Sequence, residues 1–332
     1  MIVGAGPCGL ACAISAMRAG LSVEVLEANV VVASIAQYPT YATFFSTAEK
    51  LSLGGLPFIV SSEKPTRRDA LTYYRAVTRH FRIPVRQGHR VTRIDGQSGD
   101  FRIQVTLPGD VTAETRAKAI VIATGYFGSP NRIGVPGEDL PHVTHIYKEG
   151  HEAFDQDVVV AGGGNSAAEA ALDLWRSGAR VTLVHFGPAF DKKIKPWVLP
   201  DFENRVKEGA IAVRWNSRIR SINPQSVVIG SGKDEEALRA SRVYLMTGFA
   251  PNMDLLAAKG VPIDAKTGIP SHNPATLETS VPGIFIAGVV VAGFDANKVF
   301  IENGRFHGEK IIARLTGRSA PEEPKLSAEL DT

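Results

Sequence analysis

The chain has 332 residues, enough for two domains of about 150 residues each, and its 44% apolar and 21% charged residues are the balance of a protein with packed cores. A net charge of +3, spread along the chain with no basic stripe between aromatics, speaks against nucleic acid and suits small anionic ligands. The longest apolar run, 284–292, falls short of the roughly 18 residues a membrane span needs, so no membrane is expected. No signal peptide precedes the glycine motif at Gly4, and Cys8 and Cys12 alone make no disulfide framework, so the cytoplasm is the expected compartment.

In chain order, residues 1–3 form a strand that is either short or continued upstream in the native protein. It runs into Gly4-Ala5-Gly6-Pro7-Cys8-Gly9. Leu10, Ala13, Ile14 and Met17 then mark one face of a helix that Gly20 ends. Residues 23–26 form a buried strand, followed by Glu27 and Ala28. Thr66-x-x-Asp69 caps a helix whose expected apolar face is Leu71, Tyr74, Val77 and Phe81. Residues 119–125 (AIVIATG) form a buried strand entering Thr124-Gly125. Residues 159–186 then return to strand, glycine turn, helix, glycine stop and strand, with Ala168, Ala171, Leu172 and Trp175 on the helix face. Residues 243–248 (VYLMTG) and 283–288 (GIFIAG) are further short strands ending in glycine, and the polar tail from Ser319 is expected to be loosely ordered.

Residues 1–28 and 159–186 align without a gap at an offset of 158: Gly4 with Gly162, Gly6 with Gly164, Gly9 with Ala167, Gly20 with Gly178, and Glu27 with His185. The first glycine permits a tight turn and the second lets the backbone approach a pyrophosphate. The third, small residue lets helix and strand pack closely, and the diphosphate sits on the helix N-terminus. Glu27, 18 residues after Gly9, is placed to bind ribose hydroxyls, the pattern of FAD. His185 has no carboxylate to repel a 2′-phosphate, and Lys192, Lys193 and Lys195 follow it, which points to NADP(H); the other reading leaves these side chains in solvent.

Two copies imply two dinucleotides and an α/β fold of two Rossmann-like, three-layer domains. The expected FAD domain is discontinuous, 1–146 with 243–332, and its candidate ligand residues are Gly4, Gly6, Pro7, Cys8, Gly9, Glu27, Ala28, Thr124, Gly125 and Gly288. The expected NAD(P)H domain is the insert 147–242, with Gly162, Gly164, Asn165, Ser166, Ala167, His185, Lys192 and Lys193. Tyr38, Tyr41, Phe44 and Phe45 either pack against a flavin or fill core. His142 and His145 have no third ligand nearby, so no metal site is expected.

The order GAGPCG, ATG, GGGNSA, TG and AG resembles the thioredoxin-reductase-like branch of the pyridine nucleotide-disulfide oxidoreductases across nearly the whole chain. That branch carries a Cys-x-x-Cys pair just before the second glycine motif. Here 145–154 (HIYKEGHEAF) has no cysteine, which excludes a dithiol thioredoxin reductase. Segments 38–49 (YPTYATFFSTAE), 64–77 (KPTRRDALTYYRAV), 195–209 (KPWVLPDFENRVKEG) and 297–308 (NKVFIENGRFHG), with Cys8 inside the first glycine loop, resemble a smaller group, the bacillithiol-disulfide reductases. The resemblance implies NADPH-dependent, FAD-mediated reduction of a small-molecule disulfide, with Cys8 as a catalytic thiol. A homodimer or larger homo-oligomer is the expected assembly.

Two positions depart from the wider branch. Phe186 stands where relatives often carry an arginine beside the NADP 2′-phosphate, and Val289 stands where thioredoxin reductases have an aspartate. From the residues alone Cys8 also reads as a small filler of the loop, and Cys12 as core. Two other activities stay open: a flavin monooxygenase-like enzyme, which 126–130 (YFGSP) faintly resembles, and a dithiol-free ferredoxin reductase.

Overall fold

A computed structural model describes residues 1–190, 194–295 and 297–319. The first part of the chain forms β1 (Ile2–Val3), α1 (Pro7–Arg18), β2 (Val25–Leu26), the one-turn helices α2 (Ala33–Ala36) and α3 (Ala48–Leu51), α4 (Arg67–His80) and β3 (Val85–Arg86). An antiparallel meander follows, β4 (Arg90–Gln97), β5 (Asp100–Leu107) and β6 (Val111–Ala117), and then β7 (Ile120–Ile122). The middle holds β8 (Val143–Thr144), β9 (Asp157–Ala161), α5 (Asn165–Arg176), β10 (Arg180–Val184), α6 (Leu199–Lys207) and β11 (Ile211–Arg214). A second meander, β12 (Arg218–Asn223), β13 (Ser226–Ser231) and β14 (Asp234–Arg239), leads to β15 (Arg242–Leu245). The last elements are α7 (Asp254–Ala258), β16 (Ile284–Ile286), α8 (Ile301–Gly304) and α9 (His307–Thr316).

These elements divide into two units, one of residues 1–36, 42–129 and 250–332, the other of 37–41 and 130–249. Residues 37–41, 130–146 and 243–249, expected in the first domain, therefore belong to the second. For the latter two the cause is strand pairing: β15 joins β9 on one side and β8 on the other, with Val243 beside both Val159 and Val143.

Each unit is built on a parallel sheet of five strands, in the order β3-β2-β1-β7-β16 in the first and β11-β10-β9-β15-β8 in the second. Strand for strand the orders match. The last place is filled by a strand late in the chain in one unit and by a strand preceding the glycine motif in the other.

Side-chain alternation builds the layers. Val158 and Val160 of β9 join Ala168, Leu172 and Phe202 of α5 and α6 on one face of the sheet, whereas Val159 and Ala161 meet Ile219, Val227 and Ile229 of the meander on the other. In the first unit Phe101, Ile103 and Val105 of the meander likewise pack with Val3, Ile120, Ile122 and Ile284. The third layer is thus an antiparallel meander in both units.

Helix ends follow the sequence signals. α1 closes at Gly20 with φ +76° and α5 at Gly178 with φ +88°, conformations that a glycine adopts without steric cost. At the start of α4, Thr66 Oγ1 accepts the Asp69 amide and the Asp69 carboxylate accepts the Thr66 amide. Its buried face holds the expected Tyr74 and Val77, but Ala70 and Tyr73 complete it, whereas Leu71 and Phe81 are only half-buried. Residues 51–58 cover that side: the Tyr73 hydroxyl accepts from the Leu53 amide and donates to Leu56 O, and the Phe58 ring stacks on Tyr73 at 4.1 Å. Tyr41 and Phe45 are exposed and Tyr38 and Phe44 half-buried, so this quartet does not fill a core. Among the described residues no helix is long and apolar enough to cross a membrane.

Candidate active site

The chemistry-bearing residues of the first unit gather at the C-terminal ends of its parallel strands, where open α/β sheets bind ligands beside the point at which strand order reverses. Gly4 to Gly9 follow β1, Glu27 follows β2, Thr124 and Gly125 follow β7, and Gly288 follows β16. Gly4 takes φ +105°, and a Cβ there would lie 2.4 Å from Ala123 O. A Cβ at Gly9 would lie 2.0 Å from Gly4 O, which is why helix and turn close on each other only with glycine at both places. Gly6 is the opposite case: nothing lies within 4 Å of its missing side chain, which leaves the opening a diphosphate requires. α1 begins at Pro7, where the absent N–H is no loss, and the first-turn amides of a helix have no carbonyl partners within it.

Glu27 does more than wait for a ribose. Only 8% exposed, its carboxylate accepts the Ala5 amide at 2.8 Å and the Asn29 amide at 2.8 Å, so it pins the glycine turn to the end of β2. Each carboxylate oxygen has a second lone pair, which leaves acceptors for ribose hydroxyls. Thr124 is exposed and Gly125 takes φ +69°, with open space beside it. An open turn, a helix terminus without acidic residues in its first turn and a ribose acceptor together fit the diphosphate and ribose of FAD.

Cys8 sits in that turn. A Cβ at Gly304 would lie 2.7 Å from its sulfur and one at Gly288 3.2 Å from it, so these two glycines make the space the thiol occupies. Burial pushes the Cys8 thiol up to about 12, and the Glu302 carboxylate pushes the same way. Glu302 is itself buried and accepts the Ser46 hydroxyl, and the Gly288 amide donates to His307 Nδ1 at 3.1 Å. Glu302, Gly304 and His307 escaped the reading of individual residues; their one signal was segment 297–308, singled out by resemblance alone. Cys12 is core as expected, 1% exposed, with a Cβ at Gly308 only 2.7 Å from its Cα, so α1 and α9 cross in backbone contact.

The second unit repeats the turn. Gly162 takes φ +150°, and a Cβ there would lie 2.4 Å from Met246 O, the counterpart of the Gly4 contact with Ala123 O. Ala167 stands 3.0 Å from the same point, so alanine serves where the first copy needs Gly9. Gly164 precedes α5 as its N-cap with no side-chain cap, Ser166 is exposed, and the Asn165 side chain accepts the Lys195 amide at 2.7 Å. An uncapped terminus with no acidic first-turn residue again fits a diphosphate.

The strand end differs from expectation. His185 is 4% exposed, and a Cβ at Gly163 would lie 2.1 Å from its ring, so the imidazole is packed against the turn. Trp215 meets that ring edge-on at 6.0 Å, and Phe186 next to it is 59% exposed. Lys192 and Lys193 lie outside the described residues.

A family model described as pyridine nucleotide-disulphide oxidoreductase matches residues 1–288. Over 320 residues the chain is 45% identical to a bacilliredoxin reductase of Bacillus subtilis, covering 96% of this chain and 97% of that protein. Among solved structures, a bacillithiol disulfide reductase from Bacillus cereus matches with a TM-score of 0.92 and 42% identity, over 95% of this chain and 98% of that one. One from Staphylococcus aureus matches with a TM-score of 0.89 and 39% identity, over 95% and 97%.

Proposed function

The chain belongs to the pyridine nucleotide-disulphide oxidoreductases and is an FAD- and NADPH-using disulfide oxidoreductase; we propose that its oxidant is the disulfide of a low-molecular-weight thiol, bacillithiol disulfide in particular. The observation that carries this reading is the place of Cys8. A thiol stands in the very turn that fits the FAD diphosphate, between Gly288 and Gly304, and the chain's one other cysteine is buried between helices.

The first turn, with Gly4, Gly6, Pro7, Gly9, Glu27, Ala28, Thr124, Gly125 and Gly288, holds FAD in this reading. The second, with Gly162, Gly164, Asn165, Ser166 and Ala167, holds NADPH. Overall, NADPH, one proton and RSSR give NADP+ and two RSH. Bound FAD supplies the electron relay between nicotinamide and disulfide. Glu27 keeps the turn open by holding the Ala5 amide. Attack by Cys8 on RSSR breaks the S–S bond, joins Cys8 Sγ to one half and releases the other as RSH once it takes up the thiol's proton. Two electrons and two protons then restore the Cys8 thiol and release the second RSH. Burial and Glu302 hold the thiol protonated in the chain by itself, so the attack requires that its proton be taken as the disulfide binds.

NADPH consumption by the FAD-loaded protein, run against bacillithiol disulfide, glutathione disulfide, cystine, an oxidised bacilliredoxin, ferredoxin and oxygen, tests the reading. Bacillithiol disulfide should be the fastest acceptor. Cys8→Ser should abolish disulfide-dependent consumption with FAD content retained, and Cys12→Ser should not, because serine without an adjacent base is a poor nucleophile. Consumption supported by ferredoxin or oxygen alone defeats the substrate, and undiminished turnover in Cys8→Ser makes the thiol a filler.

A further inference from the structure

The strand-end position that reads the adenosine ribose has no carboxylate in the second unit. Where Glu27 stands in the first copy, His185 is buried against Gly163 and Gly187. The next residue, Phe186, is apolar and turned outward. The strand end by itself offers no exposed cation, yet a 2′-phosphate carries about two negative charges and is normally met by an arginine nearby.

A cation on another strand stands beside this strand end. At the start of β12 the Arg218 guanidinium lies over the Phe186 ring, 4.5 Å from its centroid. Main-chain bonds hold it there: the Ser217 amide donates to His185 O at 3.0 Å and the Asn216 amide to Gly187 O at 3.0 Å. Asn216 takes φ +52°, the turn that brings the chain back alongside 185–187. Arg214, Arg176, Arg205 and Arg180 are each committed to a carboxylate, whereas among the described residues Arg218 forms no ion pair and is exposed. A stacked guanidinium keeps its N–H edge free for an anion while the ring fixes its plane.

Resting on the NADPH reading, we propose that Arg218, stacked on Phe186, is the residue that recognises the 2′-phosphate of NADPH and so sets its preference over NADH. The pair does together what an arginine at position 186 would do alone: Phe186 supplies the platform and Arg218 the charge.

Calorimetric binding of adenosine 2′,5′-bisphosphate and of 5′-AMP to the FAD-loaded protein tests this without turnover. The wild-type protein should bind the bisphosphate more tightly. Arg218→Ala should weaken the bisphosphate about 10- to 100-fold, leave 5′-AMP unchanged and retain FAD, and Arg218→Lys should recover part of the loss, since it restores charge without the planar fork. Equal weakening of both ligands, or an undiminished preference in Arg218→Ala, overturns the assignment while leaving the NADPH reading in place. A wild-type protein that does not distinguish the two ligands overturns both.

Discussion

Two influences compete for the sulfur of Cys8. The terminus of α1 favours a thiolate through its unpaired amides and dipole. Burial and the Glu302 carboxylate favour the thiol and prevail, moving it from 9.0 to about 12. A diphosphate on the same terminus adds negative charge and acts in the same direction. Because the thiolate is the reactive form, lowering the pH below about 12 steadily removes it. In a Cys12→Ser background, iodoacetamide labelling of Cys8 should therefore be slow at pH 8 and rise about tenfold per pH unit, with no plateau before pH 11; a plateau near pH 8 contradicts the assigned surroundings. The cysteine was legible in the sequence, but its surroundings were not. Ser46 and Glu302 are 256 residues apart in the chain, and no local pattern announces a partnership that only the packing of α8 creates.

At the scale of elements, the glycine turns were legible because their backbone leaves no choice. Gly4 and Gly162 each face a carbonyl oxygen 2.4 Å from where a Cβ would stand, at φ +105° and +150°. Gly4→Ala should accordingly strip FAD from the protein, while Gly162→Ala should abolish binding of the nicotinamide dinucleotide and leave FAD in place. The absorbance of retained flavin and NADPH titration read the two losses separately, and full retention of both ligands in either variant contradicts the packing. The two meanders were not legible. β6 is exposed along nearly its whole length and β14 is charged with only Leu238 buried, so neither offers the apolar run or alternation that marks a strand. The face of α4 was only half legible, Tyr74 and Val77 but not Tyr73, for a related reason. Residues 51–58 lie over Tyr73, and coverage by a loop leaves no trace in helical periodicity.

In the whole molecule, two sheets of matching order carry two turns built on the same steric contact. The repeat at an offset of 158 residues disclosed that doubling. It could not disclose where each unit ends, because β8 and β15 are short strands whose partners, β15 for the one and β9 for the other, are decided by the sheet rather than by their own residues. A parallel edge place can be taken by a strand from either end of the unit, as β16 and β8 show. The central claim is that these two dinucleotide folds, with Cys8, deliver the two electrons of NADPH to one small disulfide. Counting free thiols against NADPH consumed, under anaerobic conditions with bacillithiol disulfide as sole acceptor, tests it most directly. The account predicts two thiols released for each NADPH oxidised, whereas NADPH oxidation without thiol release, or none at all until ferredoxin or oxygen is added, would contradict it.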